Sequence, residues 1–225
     1  MANPWLLLLR LEGPLQSWGE RSRWGYRDTA MMPTRSGIIG ILACALGTRR
    51  FDPAILELEN GLSIGVRADR PGQVIIDYQT ISGTIRTADR KQRGGQSGES
   101  TLQSYRQYLQ DAAFFVVAGG SEELLRRCAT ALQHPVWPVF LGRKSCIPTR
   151  PVYEDLTTEY ATIREALEYH PLTLLGSRGE CFCCEVESPA GNIMRRDRLT
   201  NLPARVFLER TIQTFSANPP RSVER

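Results

Sequence analysis

The sequence predicts an α+β fold of the ferredoxin-like type, in which helices pack on one antiparallel sheet. Two observations lead to this prediction. Short apolar runs with the length of strands recur along the chain, and segments with helical spacing lie between them. With 225 residues, 41% of them hydrophobic, the chain is long enough to bury one large core or two modest ones.

The first half of the chain contains five of the predicted strands and helices. The run WLLLLRL at 5–11 ends at Gly13 and Pro14, which indicates a buried first strand followed by a turn. A helix is predicted over 37–46, where proline and hydroxyl residues precede an apolar run. Glycine and cysteine recur along one face of this helix, which favours close packing on the sheet. A short helix at 54–59 and strands at 62–68 and 74–81 follow.

The second half continues the same alternation of elements. Residues 102–109 are predicted to form a helix or an extended arm, and residues 112–118 a buried strand. Apolar residues at helical spacing predict an amphipathic helix over 122–132. The remaining predictions are extended structure at 136–141, a helix at 159–168, a strand at 181–187 and an arginine-rich segment at 195–210.

The charge of the chain is mildly positive and unevenly distributed. There are 28 basic and 24 acidic residues, and residues 1–110 hold 14 of the basic residues against 10 acidic ones. Twenty-six of the basic residues are arginine, whose planar guanidinium binds phosphate through two N–H groups and stacks on bases. A genome rich in G and C would explain the arginine content equally well. A phosphate-rich partner is therefore one of two open interpretations.

The sequence gives no sign of export, membrane insertion, or a bound metal or cofactor. No basic segment precedes the short apolar run near residue 5, and the longest apolar run, 37–47, is too short to span a bilayer. We expect a cytoplasmic protein with reduced thiols. The cysteines at 181, 183 and 184 lack the paired spacing of a zinc site. We therefore expect no cofactor, no metal and no membrane partner.

A polar insertion interrupts the pattern between residues 84 and 101. Ala88 is the only apolar residue between Ile85 and Leu102, while three glycines and several cations are present. A compact domain seldom contains so long a structureless segment unless it is functional or disordered. A solvated loop is the alternative explanation. If the insertion binds a polyanion, its candidate residues are Arg86, Arg90, Lys91 and Arg93.

Three further segments combine polar, basic and aromatic residues in a way that suits RNA. After the first strand, Gln16 and Ser17 could bond phosphate or a base edge, and Trp18 could stack on a base. A turn in which the tryptophan fills the core is an equal alternative. The predicted helix start offers free N–H groups as a phosphate seat. At or before this helix start the candidates are Arg27, Thr34, Arg35 and Ser36. In the third segment they are Arg143, Lys144 and Ser145.

Residues suited to catalysis are few. RNA cleavage by general acid–base chemistry uses histidine, or a base together with a cationic stabiliser, within mutual reach. His134 and His170 are each followed by proline, at what we interpret as element boundaries, which favours structural roles. No Walker loop, HExxH motif or serine nucleophile elbow is present in the sequence. These observations favour a protein that is not an enzyme.

Several of these segments together resemble one protein family. The motifs are LEGPLQSWG at 11–19, PTRSG at 33–37, YRQYLQDA at 105–112, LGRKSC at 141–146 and LPAR at 202–205. They are similar to the fifth Cas protein family of CRISPR systems, within the RAMP superfamily, and in particular to its type I-E members. The resemblance covers most of the chain and is weakest at 155–180 and after residue 215.

The resemblance implies a modified ferredoxin-like (RRM/RAMP) palm with an inserted basic thumb. Residues 1–78 would form the first part of the palm, 79–113 the thumb, and 114–225 the remainder with C-terminal strands. It implies a non-catalytic subunit of the type I-E Cascade surveillance complex, which acts in antiviral defence. Its expected partners are the 5′ handle of the crRNA, the Cascade backbone subunit and large subunit, and, indirectly, target DNA.

Two competing hypotheses stay open at this point. The first is a metal-independent endoribonuclease that processes precursor crRNA, with Tyr26 or a histidine assisting attack by a ribose 2′-hydroxyl. The second is a pure protein-interface subunit whose arginines meet acidic partners.

Overall fold

The computed structural model describes residues 3–23, 25–82, 85–86, 92–93, 101–172, 182–201, 204 and 206–220. Eleven strands and four helices lie within these residues, and none of the helices is long and apolar enough to cross a membrane. The strands are β1 (Leu6–Gln16), β2 (Tyr26–Arg27), β3 (Ser63–Arg70), β4 (Gln73–Ser82), β5 (Ile85–Arg86), β6 (Gln92–Arg93), β7 (Thr101–Gly119), β8 (Tyr153–Thr157), β9 (Phe182–Glu187), β10 (Ile193–Asn201) and β11 (Val206–Ala217). The helices are α1 (Arg35–Ala45), α2 (Ala54–Gly61), α3 (Glu122–Gln133) and α4 (Ile163–Tyr169).

One large sheet organises the described part of the chain. Seven strands follow the order β10-β11-β9-β3-β7-β1-β8, and β2 and β4 pair with the outer half of β7. Every pairing in this sheet is antiparallel except that of β2 with β7. The short strands β5 and β6 pair with each other outside it. A mixed fold with a large antiparallel sheet and four helices in the described residues confirms the predicted α+β class.

Strand β1 is buried on both faces, which explains its continuous apolar run. Leu7, Leu9 and Leu11 join the core beneath α1, α2 and α3, whereas Leu6 and Leu8 pack on the opposite side with α4. Side chains alternate between the faces of a strand, so only a strand covered on both sides needs apolar residues at consecutive positions. The predicted buried first strand is confirmed, but the turn expected at Gly13 and Pro14 is wrong, because β1 continues to Gln16 in its pairing with β7.

Helix α1 begins at Arg35, two residues before the predicted start at 37. Thr34 is extended and its hydroxyl accepts a hydrogen bond from Gly37 N at 3.3 Å, which satisfies one of the free N–H groups of the first turn. The predicted packing of its small-residue face on the sheet is wrong. A Cβ added at Gly40 would have no neighbour within 4 Å, while one at Gly37 would lie 2.8 Å from the Trp18 ring. That face borders a tryptophan and open space instead.

Most other elements match their predictions, with two informative differences. The segments 54–59, 62–68, 74–81, 122–132 and 181–187 correspond to α2, β3, β4, α3 and β9, and α4 is shorter than predicted. Residues 102–109 and 112–118, treated as two elements, form the single strand β7. Residues 136–141 form neither helix nor strand. Pro135 and Pro138 have no N–H group to donate to a ladder, which explains the irregular backbone there.

Strand β7 passes from the core into a two-stranded arm. Its second half, from Ala113 onward, pairs with β3, and its first half pairs with β4 along the same edge. The change of partner occurs at a kink where Gly72 has φ +73° and Asp111 has φ +55°. Arg70 fixes the kink by donating to the carbonyl of Asp111 at 2.6 Å. The proposed thumb limits at 79 and 113 therefore fall inside β4 and β7.

A buried charge network holds the centre of the sheet on the α4 side. Arg10, Phe115 and Arg67 are direct neighbours across β1, β7 and β3. The two guanidiniums lie 5.2 and 4.8 Å from the centre of the Phe115 ring, and both bind the carboxylate of Asp69. Glu154 adds a second carboxylate, 3.0 Å from Arg10 Nε. Four charges are thus paired almost out of contact with water, which makes removal of any one of them costly.

Glu154 joins this network to His170. The His170 ring lies parallel to Phe115, with centroids 4.5 Å apart, and its Nε2 is 3.4 Å from Glu154 Oε1. Burial alone would raise the pKa of Glu154, but hydrogen bonds from His170 and Arg10, together with the charge of Arg10, lower it to about 2. His170 therefore has a structural position, as the sequence predicted.

We predict that Glu154→Gln lowers the stability of the fold and makes that stability less dependent on pH. The folded pKa of Glu154 lies below its unfolded value, so its charge stabilises the fold above that unfolded value and the gain is lost as pH falls towards 2. At pH 7 the variant should lose about 3 kcal/mol of unfolding free energy, and its stability should decline less between pH 5 and 2. Urea unfolding at several pH values measures both effects.

The control is Glu122→Gln, which removes the exposed ion pair with Arg126 on α3. That change should cost only about 0.3–0.5 kcal/mol. Equal pH dependence in Glu154→Gln and in the unmodified chain would show that Glu154 is not held ionised by its neighbours.

Candidate nucleic-acid interface

Three tyrosines form a row across the base of the arm. Tyr105 on β7 pairs with Tyr26 on β2 and with Tyr78 on β4, so the three side chains emerge on one face. The exposed fractions of Tyr26, Tyr78 and Tyr105 are 45%, 50% and 46%. The rings of Tyr78 and Tyr105 are 5.2 Å apart and tilted by 42°. We call these three residues the tyrosine row.

Exposed apolar side chains and one hydrogen-bonding side chain, Gln107, surround the tyrosine row. Ile76 and Val74 continue the same face of β4 and are also exposed. The amide nitrogen of Gln107 donates to the Tyr26 hydroxyl at 2.6 Å, which fixes the position of that ring. Exposed aromatic rings at the base of a hairpin can stack on unpaired bases with little sequence preference.

Basic residues occupy the other face of the same strands. Arg27 is the direct neighbour of Arg106 across β2 and β7, so their side chains leave the arm on one side. Both are half-buried, and Arg106 Nε donates to Ser104 Oγ at 3.3 Å. The base of the arm thus carries aromatic rings on one face and guanidinium groups on the other.

Arg143 holds β2 against β7. Its two terminal nitrogens donate to the carbonyls of Gln107 at 3.1 Å and Arg27 at 3.2 Å. Its guanidinium carbon lies 4.5 Å from the centre of the Tyr108 ring, a cation–π contact. Because its donors are turned to the backbone, Arg143 positions Arg27 and the tyrosine row.

The turn that carries Arg143 packs against the end of β1. Ser17 N donates to the carbonyl of Leu141 at 3.0 Å, and Ser17 Oγ donates to the carbonyl of Gln107 at 3.3 Å. Gly142 has φ +91°, and a Cβ there would lie 1.7 Å from the carbonyl oxygen of Ser17. Lys144 and Ser145 are exposed beyond this contact. The fold therefore brings Ser17, Arg27 and the 143–145 segment close together.

Gln16 and Trp18 do not face a ligand. Both are fully buried. Trp18 Nε1 donates to Gln16 Oε1 at 3.1 Å, and Gln16 Nε2 donates to the carbonyls of Leu11 and Ala112 at 3.0 and 2.8 Å. The expectation that these two side chains contact RNA is not met in this structure, because all their polar atoms are paired within the protein. The tryptophan fills the core, which was the equal alternative.

The helix start is likewise not open to a phosphate. Arg35 N donates to Asp197 Oδ2 at 2.7 Å, so a carboxylate from β10 already occupies the first turn of α1. The Arg35 guanidinium is buried between Glu59 and Glu187. Burial raises the pKa of Glu59 despite this pairing. Thr34 is also buried as the helix cap, so the expected phosphate seat at Thr34 and Arg35 is wrong in this structure. Ser36 is half-buried and borders a neighbouring cleft.

The basic insertion is only partly described. Arg86 and Arg93 lie on β5 and β6, whose backbones pair. Arg90 and Lys91 lie outside the described residues. Their RNA-binding role stays a prediction.

The described residues offer little catalytic or metal chemistry. They contain no group of three or more His, Cys, Asp or Glu side chains that could hold a metal ion. His134 is exposed at the end of α3, and the ring contacts of His170 are to Phe115, Tyr160 and Glu154. Burial raises the pKa of Cys184 to about 12, so this thiol stays protonated. Cys181 lies outside the described residues.

Comparison with known proteins bears on the origin of this architecture. The family model described as CRISPR-associated protein (Cas_Cas5) matches residues 6–215. The chain belongs to the Cas5 family of CRISPR-associated proteins. It is 33% identical over 177 residues to the CRISPR system Cascade subunit CasD of Escherichia coli (strain K12), an alignment that covers 74% of this chain and 77% of that relative.

Two solved structures share the fold of this Cas5-family chain. One, described as the crystal structure of a Cas protein, has a TM-score of 0.76 and 33% identity, and the match covers 96% of this chain and 98% of that one. The other belongs to a CRISPR RNA-guided surveillance complex, with a TM-score of 0.77, 33% identity and coverage of 96% and 91%. The fold of the described residues is therefore that of solved Cas proteins along nearly the whole chain.

Sequence reasoning missed most of the tyrosine row. The sequence assigns Tyr26 to a surface segment facing a partner and makes it a catalytic candidate, and it assigns Tyr78 and Tyr105 to a strand and an arm. A signal was available, because Val74, Ile76 and Tyr78 alternate with Ile75 and Asp77. Alternation shows two faces of a strand but does not show whether the apolar face is covered. Only the pairing of β2, β7 and β4 shows that this face is left open.

We predict that Arg143→Ala loosens β2 without unfolding the protein. The substitution removes two charge-assisted hydrogen bonds to carbonyls and the stacking on Tyr108. Amide hydrogen exchange in residues 23–29, followed by mass spectrometry, should accelerate by at least about tenfold, while exchange in α3 stays unchanged.

Lys144→Ala is the matched control, because the adjacent side chain is exposed. It should leave exchange in residues 23–29 unchanged. Acceleration of the same size in both variants would contradict the positioning role of Arg143.

Proposed function

We propose that this chain is a crRNA-binding subunit of a Cascade-type surveillance complex and that it holds the 5′ handle of the guide RNA. The observation that carries the proposal is the base of the arm, where the exposed tyrosine row lies on one face and Arg27 and Arg106 on the other. Membership of the Cas5 family and the likeness to a subunit named Cascade CasD support it.

The two faces suit the two parts of an RNA strand. Stacking of a base on an exposed aromatic ring contributes about 1–3 kcal/mol and tolerates any base. Guanidinium groups neutralise phosphates, which adds affinity that depends on salt. A single strand that passes around the β2 edge of the arm would place bases on the tyrosine row and bring its backbone near Arg27 and Arg106 on the other face. Arg143 and Ser17 support this geometry from behind.

The fold and the partners follow the same proposal. The core sheet with its helices acts as a modified ferredoxin-like palm, and the arm with the basic insertion acts as the thumb, over about residues 79–113. Arg86, Arg90, Lys91 and Arg93 would contact RNA from that insertion. The protein partners are the Cascade backbone subunit and large subunit, target DNA is met indirectly, and the protein acts in the cytoplasm.

The proposed role is binding without cleavage. Tyr26 is exposed, yet its hydroxyl is engaged by Gln107 and neither histidine contacts it among the described residues. A general base and an acid within reach of one phosphate would be needed for cleavage. The arrangement at the base of the arm supplies stacking and charge instead.

We predict that Tyr78→Ala with Tyr105→Ala weakens RNA binding and leaves its salt dependence unchanged. Loss of two stacking rings should reduce the affinity for single-stranded repeat RNA from the same genome by at least about tenfold, in line with about 1–3 kcal/mol per base. The slope of log K against log salt should stay the same because no phosphate contact is removed. Fluorescence anisotropy at several salt concentrations measures both quantities.

Two comparison variants sharpen this test. Arg27→Gln with Arg106→Gln should reduce the salt slope by about 0.7 per lost phosphate contact. Arg164→Gln, which removes an exposed ion pair with Glu168 on α4, should change neither affinity nor slope. Unchanged affinity in the tyrosine variant, with its fold intact by circular dichroism, would refute the proposed stacking role.

We predict no defined cut when the purified chain is incubated with repeat RNA in chelator. Gel analysis with single-nucleotide resolution measures the result. A specific product that disappears in Tyr26→Phe or His134→Ala would overturn the non-catalytic assignment and make the chain an endoribonuclease. Degradation that survives in both variants indicates a contaminating nuclease, which is then removed by a further purification step before the incubation is repeated.

A further inference from the structure

A large cleft lies beside α1, and no residue of the tyrosine row lines it. Its volume is about 1090 Å³, and it is bordered by α1, α2, the segment 137–147 and the β10–β11 hairpin. Its apolar lining consists of Ile39, Ala43, Ile55, Trp137, Val139 and Phe140, among others. Nothing in the proposed RNA-binding role accounts for this cleft.

The floor of the cleft is the small-residue face of α1. Ser36, Gly40 and Cys44 line it, one helical turn apart. Gly40 is exposed in the middle of the helix, and an added Cβ would find open space. Glycine lowers helix stability relative to alanine. Its position here leaves room for another chain to approach the helix closely.

The rim of the cleft exposes large apolar side chains. Ile147 and Trp137 line the cleft and are exposed, and the exposed Val136 and Phe51 are chain neighbours of the lining residues Trp137 and Arg50. Large exposed apolar side chains around a cleft are typical of protein–protein contact sites, and aromatic residues are enriched in such interfaces. Hydrogen-bonding side chains that could read a base edge are few in the lining.

The charges at the cleft are positive. Arg50 and Lys144 line it, and neither forms an ion pair with any residue that the structure describes. Lys144 lies close enough to Cys44 for its charge to oppose the rise in the thiol pKa that burial causes. The one acidic residue of the lining, Glu59, is bound by Arg35. An occupant with a carboxylate would therefore complement the site.

We propose that this cleft binds an amphipathic segment of another protein, with bulky apolar side chains in the cleft and a carboxylate facing Lys144 and Arg50. A helix with apolar residues at i, i+3 or i+4, and i+7 would place them against the floor and the Trp137 wall. The lining favours a peptide over RNA because its surface is mainly aliphatic and aromatic, with only two cations. Binding here does not require RNA at the arm.

Gly40→Leu is the decisive variant. The leucine side chain would occupy the cleft without meeting any atom within 4 Å of its Cβ, and it improves helix propensity at that position. The variant should therefore fold at least as well as the unmodified chain, which thermal unfolding checks. A loss of peptide binding would then report a blocked cleft and not a damaged fold.

The probe is a peptide selected from a random 16-residue phage library on the immobilised full-length chain. We expect enriched sequences to combine apolar residues at helical spacing with at least one acidic residue. The fluorescein-labelled selected peptide should bind the unmodified chain and lose affinity by at least about tenfold with Gly40→Leu, as expected for a buried anchor site. Lys144→Glu should weaken it several-fold, while the exposed control Arg150→Glu should not.

Three results would overturn the proposal. The first is selection that enriches no peptide, and the second is a selected peptide whose binding survives Gly40→Leu. The third is a nucleic-acid occupant, shown by ultraviolet crosslinking of single-stranded repeat RNA to Trp137 and by loss of that crosslink with Gly40→Leu. Because the tyrosine row is unchanged in Gly40→Leu, arm-dependent RNA binding should survive in it. Failure at the cleft and failure at the arm are therefore distinguishable.

Discussion

The structure depends on the pairing of one strand, β7, which belongs to the core at one end and to the arm at the other. Its buried half takes β1 and β3 as neighbours, and its outer half takes β2 and β4. The backbone of β7 is continuous, so the position of the arm is set by the packing of the core. Between the two halves, Gly72 and Asp111 have positive φ. The tyrosine row is consequently carried by paired strands that continue into the core, as a stacking surface requires.

Arginine has two distinct uses in this protein. Arg10, Arg67 and Arg35 are buried and paired with carboxylates, where they bind strands and helices to one another. Buried pairs of this kind add little net stability, but the loss of one partner leaves a charge uncompensated. Arg27 and Arg106 emerge at the base of the arm instead. The arginine content of the chain is therefore not a measure of its affinity for RNA.

Two surfaces divide the proposed functions between them. The base of the arm has exposed rings and guanidinium groups, which suit a strand of alternating bases and phosphates. The cleft beside α1 has an aliphatic lining and few charges, which suits a folded peptide. The turn at 142–146 lies between the two, with Arg143 directed to the arm and Lys144 to the cleft. Neighbouring residues of one basic motif thus serve different surfaces.

The sequence by itself determined the class of fold, most helix and strand positions, and the family, because these follow from apolar periodicity, capping residues and local motifs. It did not determine which polar side chains are exposed. Burial of Trp18 and Arg35, and exposure of Tyr78 and Tyr105, result from contacts between residues far apart in the chain. Only the tertiary structure decides such contacts, since pairing partners for a buried charge or ring are not encoded by local pattern.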